Sequence, residues 1–250
     1  PSKSIEIKEC TFTNNRNSPS PIYYNFISAS LSTRTPLDSV TCYALHVINS
    51  TFNSNSLDEN GGAIGITLEK KEPSNPIEIT ECIFTNNVAT DSVDTDEENG
   101  GAIYYIDKAS SSSNNYFFRI IDSIFSNNQV TSHGGSIYIE IANHEPSNLI
   151  EISRCSFENG ATDKLIQHGG FIYYKFNPQS SATSTLSTSH NLHIYDCTFT
   201  GADSKISSEN GGSISILIPE KEPSKSIEIK NCTFTQCQCS VSAGAICYTN

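Results

Sequence analysis

Apolar residues return along this chain in a fixed order. Phe12, Phe52, Phe84, Phe125, Phe157, Phe199 and Phe234 each follow an apolar pair placed seven and five residues earlier. The pairs are Ile5/Ile7, Leu45/Val47, Ile77/Ile79, Phe118/Ile120, Ile150/Ile152, Leu192/Ile194 and Ile227/Ile229. Two residues before each Phe stands Cys or Ser: Cys10, Ser50, Cys82, Ser123, Cys155, Cys197 and Cys232. Residues two apart share one face of a strand, so each apolar pair reads as one short strand and each Cys/Ser–Phe pair as a second. The two strands have opposite parity. A bend between them, at Thr80-Glu81 in the third copy, lets both point inward.

A third strand follows a Gly-Gly motif. It reads Gly61-Gly62-Ala63-Ile64, Gly100-Gly101-Ala102-Ile103, Gly134-Gly135-Ser136-Ile137, Gly169-Gly170-Phe171-Ile172 and Gly211-Gly212-Ser213-Ile214, with Ala243-Gly244-Ala245-Ile246 as a weaker last copy. Each Ile opens an alternating run, such as Ile103/Tyr105 or Ile137/Ile139/Ile141, and Ile22/Tyr24/Phe26 fills the slot in the first copy. A motif returning roughly every thirty to forty residues marks a solenoid. The expected fold is all-β: a right-handed parallel β-helix of about seven coils, each with three short strands. At the usual strand spacing of about 4.8 Å the rod is on the order of 35 Å tall. Residues 1–250 read as a single β-helix segment. Both ends fall inside the repeat, so a longer array is expected around it.

Four of the Phe residues open a Phe-x-x-Asn tetrad, ending at Asn15, Asn55, Asn87 and Asn128. Asn14, Asn86, Asn127 and Asn159 stand two after the Phe, where the chain must turn. Asn tolerates the left-handed conformation there, and a ladder of Asn side chains is expected at these positions. Short connections carry Glu72-Pro73-Ser74, Glu145-Pro146-Ser147 and Glu222-Pro223-Ser224; longer Ser-rich ones span Ala109 to Asn115 and Gln179 to His190. The long loops are expected on one corner, where repeat proteins keep binding surfaces.

The net charge of −12 argues against a nucleic-acid partner and an anionic membrane surface. No apolar run is long enough for insertion in a bilayer within this segment. The nine cysteines admit two readings. One is a buried ladder of thiols. The other is disulfide bonding, for which Cys155, Cys197, Cys232, Cys237, Cys239 and Cys247 are the candidates. Zinc in the last coil is weakly signalled, because Cys-x-Cys lacks a matched second pair. Asn49-Ser50-Thr51 and Asn231-Cys232-Thr233 are glycosylation sequons at equivalent places in their coils.

Catalysis on a β-helix needs converging carboxylates or calcium ligands. The acidic residues concentrate instead at Asp58-Glu59 and from Asp91 to Glu98, and read as solvated loop charge. Asp94, Asp96, Glu97 and Glu98 lack a recognised calcium spacing. His133 and His168 precede Gly-Gly pairs in consecutive coils, as stacked, exposed turn residues. No catalytic constellation, metal centre or cofactor motif emerges. By parity, Tyr104, Tyr138 and Tyr173 point outward from the third strand in consecutive coils, with Tyr23 in the same slot of the first. An exposed aromatic ladder of this kind suits sugar stacking or a protein contact.

The paired Gly-Gly-Ala-Ile and Phe-x-x-Asn tetrapeptides resemble those of the chlamydial polymorphic membrane proteins. They are also similar to repeats in surface proteins of protists such as trichomonads. The resemblance runs over nearly the whole chain, although the later tetrads lose their Asn, at Gly160, Ala202 and Cys237. It implies a right-handed β-helix exposed at a cell surface or secreted, often as an adhesin; the autotransporter barrel is absent from this segment. The leading expectation is a non-catalytic surface or extracellular protein serving adhesion or as a structural stalk. Its partner would be a host or matrix glycan or surface protein. The alternatives are an extracellular fibre subunit stacking on its own copies, and a polysaccharide lyase or hydrolase of the pectate-lyase-like fold.

Overall fold

The computed structural model describes residues 5–16, 20–26, 45–58, 60–69, 73, 75–90, 98–109, 117–143, 149–159, 166–177, 192–201, 208–219, 226–239 and 241–250. The Glu-Pro-Ser and Ser-rich connections lie largely outside these residues. Three seven-stranded parallel sheets run the length of a right-handed β-helix of seven coils, as the repeat predicts. In coil 3 the strands are Ile77–Thr80, Ile83–Thr85 and Ile103–Asp107. Neighbouring coils stack in strict register: Phe84 pairs with Phe52 and Phe125, Ile79 with Val47 and Ile120, and Ile103 with Ile64 and Ile137. The inward set expected from parity is the core. Ile77, Ile79, Cys82, Phe84, Ile103 and Tyr105 are all 0 % exposed. The seven Phe rings form one stack, 4.8–4.9 Å between centroids and within 8° of parallel.

The coils also hold strands that the three-strand pattern did not predict. Ser56–Leu57, Val88–Ala89 and Gln129–Val130 form a short parallel sheet, and Ile166–His168 pairs with Ser208–Asn210. Two or three residues are too few to show a period in the sequence.

The parity switch between the first two strands is made by one residue in the left-handed conformation. It recurs in every coil: Glu9, Asn49, Glu81, Asp122, Arg154, Asp196 and Asn231, with φ between 45° and 55°. For Glu or Arg this conformation costs roughly 1–2 kcal/mol. The stack holds it there, since the bends of coils 1 to 6 each donate their N–H to the next coil. Glu81 N reaches Ile121 O at 3.1 Å and Arg154 N reaches Tyr195 O at 3.1 Å. The second bend is left-handed at Asn14, Asn86, Asn127 and Asn159, as expected. At the third corner Gly100 has φ 69°, and a Cβ there would meet Ile103 O at 2.2 Å. Its neighbour Gly101 serves closeness instead: a Cβ would meet Gly135 O of the next coil at 2.3 Å.

The Asn ladder exists, but one residue later than expected. It is built by the tetrad residues Asn15, Asn55, Asn87 and Asn128, which turn inward just after the left-handed bend. Asn55, Asn87 and Asn128 are 0 % exposed. Asn87 shows the closed accounting. Its Nδ2 donates to Asn128 Oδ1 at 3.0 Å and to Phe52 O at 3.0 Å. Its Oδ1 accepts from Asn55 Nδ2 at 2.8 Å and from Asn55 N at 3.3 Å. A buried amide with every valence met is what a dry interior requires.

Phe84→Ala should destabilise the rod by about 3–5 kcal/mol, because rings above and below cannot collapse into the cavity. Urea unfolding followed by far-ultraviolet circular dichroism measures this, and a cost under about 1 kcal/mol would contradict the stacked core. Asn87→Ala removes four hydrogen bonds and strands partners in two coils. It should cost roughly 2–4 kcal/mol in the same assay.

Candidate functional site

The third strand carries two outward columns. The first runs in register through Tyr23, Gly65, Tyr104, Tyr138, Tyr173, Ser215 and Cys247. The second, two residues on, runs through Asn25, Thr67, Ile106, Glu140, Lys175 and Leu217. Outward parity and stacking of the tyrosines are as expected. Ring centroids lie 5.2 Å apart between Tyr104 and Tyr138, and 5.4 Å apart between Tyr138 and Tyr173.

The ladder is not open, which corrects the expectation of an exposed platform. Tyr138 and Tyr173 are only 4 % and 2 % exposed, whereas Tyr23 is 51 % exposed. Part of the cover is the corner before the Gly-Gly turn. His133 presents its ring edge-on to Tyr173, centroids 4.6 Å apart at 89°, and packs against His168 at 4.9 Å. The histidines therefore meet in consecutive coils, but tilted by 58° rather than stacked, and half-buried rather than exposed. The second column closes the other side: Tyr138 donates to Glu140 Oε2 at 2.7 Å, and Lys175 pairs with Glu140 at 3.0 Å. This network went unread in the sequence. Its signal was there, since Glu140 and Lys175 share the outward parity of the tyrosines.

The cysteines divide by column. The eight described cysteines are free. Cys155, Cys197 and Cys232 occupy the inward slot in consecutive coils, and each thiol donates to a carbonyl oxygen two residues back, at 3.2–3.3 Å. Burial pushes the Cys82 thiol up to about 11 and raises Cys155 well above its ordinary value. The last coil gathers its sulfurs only in part: Cys239 and Cys247 both meet Ser242, Cys247 at 3.4 Å from its Oγ. Cys232 and Cys237 pack against the core, Cys247 lies in the tyrosine column, and Cys239 donates to Ser242 O near the final turn. The inward pair Cys232 and Cys237 and the outer pair Cys239 and Cys247 thus face different sides of the strand ribbon.

Asn49 and Asn231 are exposed, each at the first left-handed bend of its coil. Asn231 borders a shallow cleft with His193, Tyr195 and Glu228. Of the acidic positions, Asp58 is exposed, while Glu98 is 4 % exposed and so is not solvated loop charge. Glu59, Asp94, Asp96 and Glu97 lie outside the described residues. Among the described residues no cluster of His, Cys, Asp and Glu could hold a metal ion, and no helix is long and apolar enough to cross a membrane.

Burial, with smaller repulsion from His168 and Lys175, lowers the His133 pKa to about 4, against about 6.5 when unfolded. The unfolded chain therefore binds this proton first. The stabilisation is present above pH 6.5 and lost as pH falls towards 4. Tyr138, Tyr173 and the Glu140–Lys175 pair complete the surroundings. His133→Asn places the residue already found at the equivalent Asn99 and Asn210. It should flatten the fall in melting temperature between pH 6.5 and 4, and an unchanged profile would contradict the assignment.

Two stretches of the chain, residues 81–105 and 122–140, match the model of the Chlamydia polymorphic membrane protein repeat. No curated protein and no solved structure matches. Both stretches begin at a left-handed bend residue, Glu81 or Asp122, and end within the third strand. The matched segment thus spans the Phe, the ladder Asn and the Gly-Gly corner, so in these two coils the chain carries repeats similar to those of the polymorphic membrane proteins, within a parallel β-helix.

Proposed function

We propose that the chain is a non-catalytic β-helix displayed at a cell surface or secreted, where its outer side attaches to a glycan or surface protein. The observation that carries this reading is where the repeat spends its recurring residues. The Phe, Cys/Ser, Asn and Gly-Gly positions are all accounted for by the stack. What differs from coil to coil lies outward, as in a scaffold whose side is free to vary. The polymorphic membrane protein repeat supports a membrane-associated or surface location. A net charge of −12 disfavours anionic partners.

Inert particles coated with the whole chain should attach to host-type cells or matrix above particles coated with heat-unfolded chain. Antibody to the chain should label intact source cells without permeabilisation. Attachment equal for folded and unfolded coats would overturn the adhesive reading. Turnover of a polysaccharide panel by the purified chain would overturn the non-catalytic one.

A further inference from the structure

The tyrosine column has one gap. Between Tyr23 and Tyr104 the slot is Gly65. Gly65 does not have the positive φ of the corner glycines, so its backbone is open to other residues. What it contributes is space. A Cβ built there would stand 3.0 Å from Tyr23 Cδ2, because Tyr23 leans across the empty slot. Tyr23 lacks the stacked Tyr neighbour that Tyr104, Tyr138 and Tyr173 have, and its ring is half exposed.

Tyr23, leaning over Gly65, and Tyr104 flank a cleft of about 220 Å³. That is room for about seven waters, or for one six-membered ring with its substituents. Thr67 and Ile106, the next outward column, line it too. The polar residues Asn60, Glu69 and Lys108 border it as well. Asn60 Oδ1 is engaged by Asn99 N at 2.7 Å, which turns its amide into a donor towards a ligand.

We infer that this cleft binds one ring of an uncharged glycan, stacked on Tyr23. A pyranose has an apolar face of C–H groups, which suits an exposed aromatic face. Its hydroxyls match a rim that offers both donors and acceptors. A purely aromatic guest would leave those rim groups desolvated and unpaired. Glu69 and Lys108 border it with opposite charges, and the chain is strongly acidic, so an anionic sugar gains nothing and is repelled at long range. Single-ring binding of this kind is weak, on the order of 1 mM, and gains strength when many copies meet a glycan-coated surface. The inference rests on the attachment reading above but makes a separate claim about solution binding.

The test is saturation-transfer NMR on the whole chain with uncharged and acidic mono- and disaccharides at about 10 mM. The chain contains no Trp, so tyrosine fluorescence supplies a second readout. At least one uncharged sugar should take up saturation on its ring protons. Tyr23→Ser should weaken it about tenfold or more without changing the melting temperature. Gly65→Tyr, which continues the stack into the gap, should abolish it. If Gly65→Tyr fails to fold, Tyr23→Ser decides alone, since its ring is exposed and Ser215 already fills the same column in coil 6. The proposal is overturned if no uncharged sugar binds, if acidic sugars alone bind, or if the folded Tyr23→Ser chain binds as well as the original. Particle attachment measured on the same variants separates the two claims. Attachment by the original chain without any sugar binding rejects the cleft only, and sugar binding without any attachment rejects the adhesive reading only.

Discussion

In-register stacking at one strand spacing governs everything else in this molecule. Each inward side chain has its counterpart one coil away as its main neighbour. Flat rings 4.8 Å apart satisfy that geometry, and so do amides that donate one way and accept the other. A residue is therefore chosen less for its own burial than for what repeats above and below it. This is why the Phe column is unbroken through all seven coils, whereas the outward columns mix Tyr, Gly, Ser and Cys.

The same constraint sets the backbone. A coil must reverse the parity of its side chains between two strands separated by two residues, and one left-handed residue does this. That Glu, Asp and Arg all accept the conformation shows that the ladder of N–H bonds between coils decides the dihedral. Local preference is the weaker term: a penalty of about 1–2 kcal/mol is set against backbone bonds and packing that only this path allows. The Gly-Gly corner differs, because there sterics leave no choice.

The fold was legible because its period is long and its columns repeat many times, so chance alignment is excluded by the seven Phe positions alone. The left-handed first bend was not legible in Glu81 or Arg154, since nothing in those side chains favours it. The Asn ladder was placed at Asn86 rather than Asn87, because alternation says which residues share a face and not which of two turn residues swings inward. The outward columns were placed correctly, but their burial was not. Parity gives the direction of Tyr138 and Tyr173, while cover comes in part from His133, a corner residue outside the named strands, whose contact with Tyr173 is made across coils. The gap at Gly65 could have been seen by aligning the third strands, where a missing ring is as informative as a present one.

The inward Cys/Ser column divides the rod chemically. In coils 1 to 4 thiol and hydroxyl alternate: Cys10 N and Cys82 N donate to the Oγ of Ser50 and Ser123 in the next coil, each at 3.1 Å. In coils 5 to 7 the thiols of Cys155, Cys197 and Cys232 are contiguous. A sulfur in the first stretch has only hydroxyl neighbours along its column and is insulated from its own kind. In the second stretch each sulfur has another sulfur as its column neighbour, and Cys232 is less enclosed than the other two. The two halves share one fold and differ in what lines this column: oxygen separates sulfur from sulfur in the first, and sulfur meets sulfur in the second.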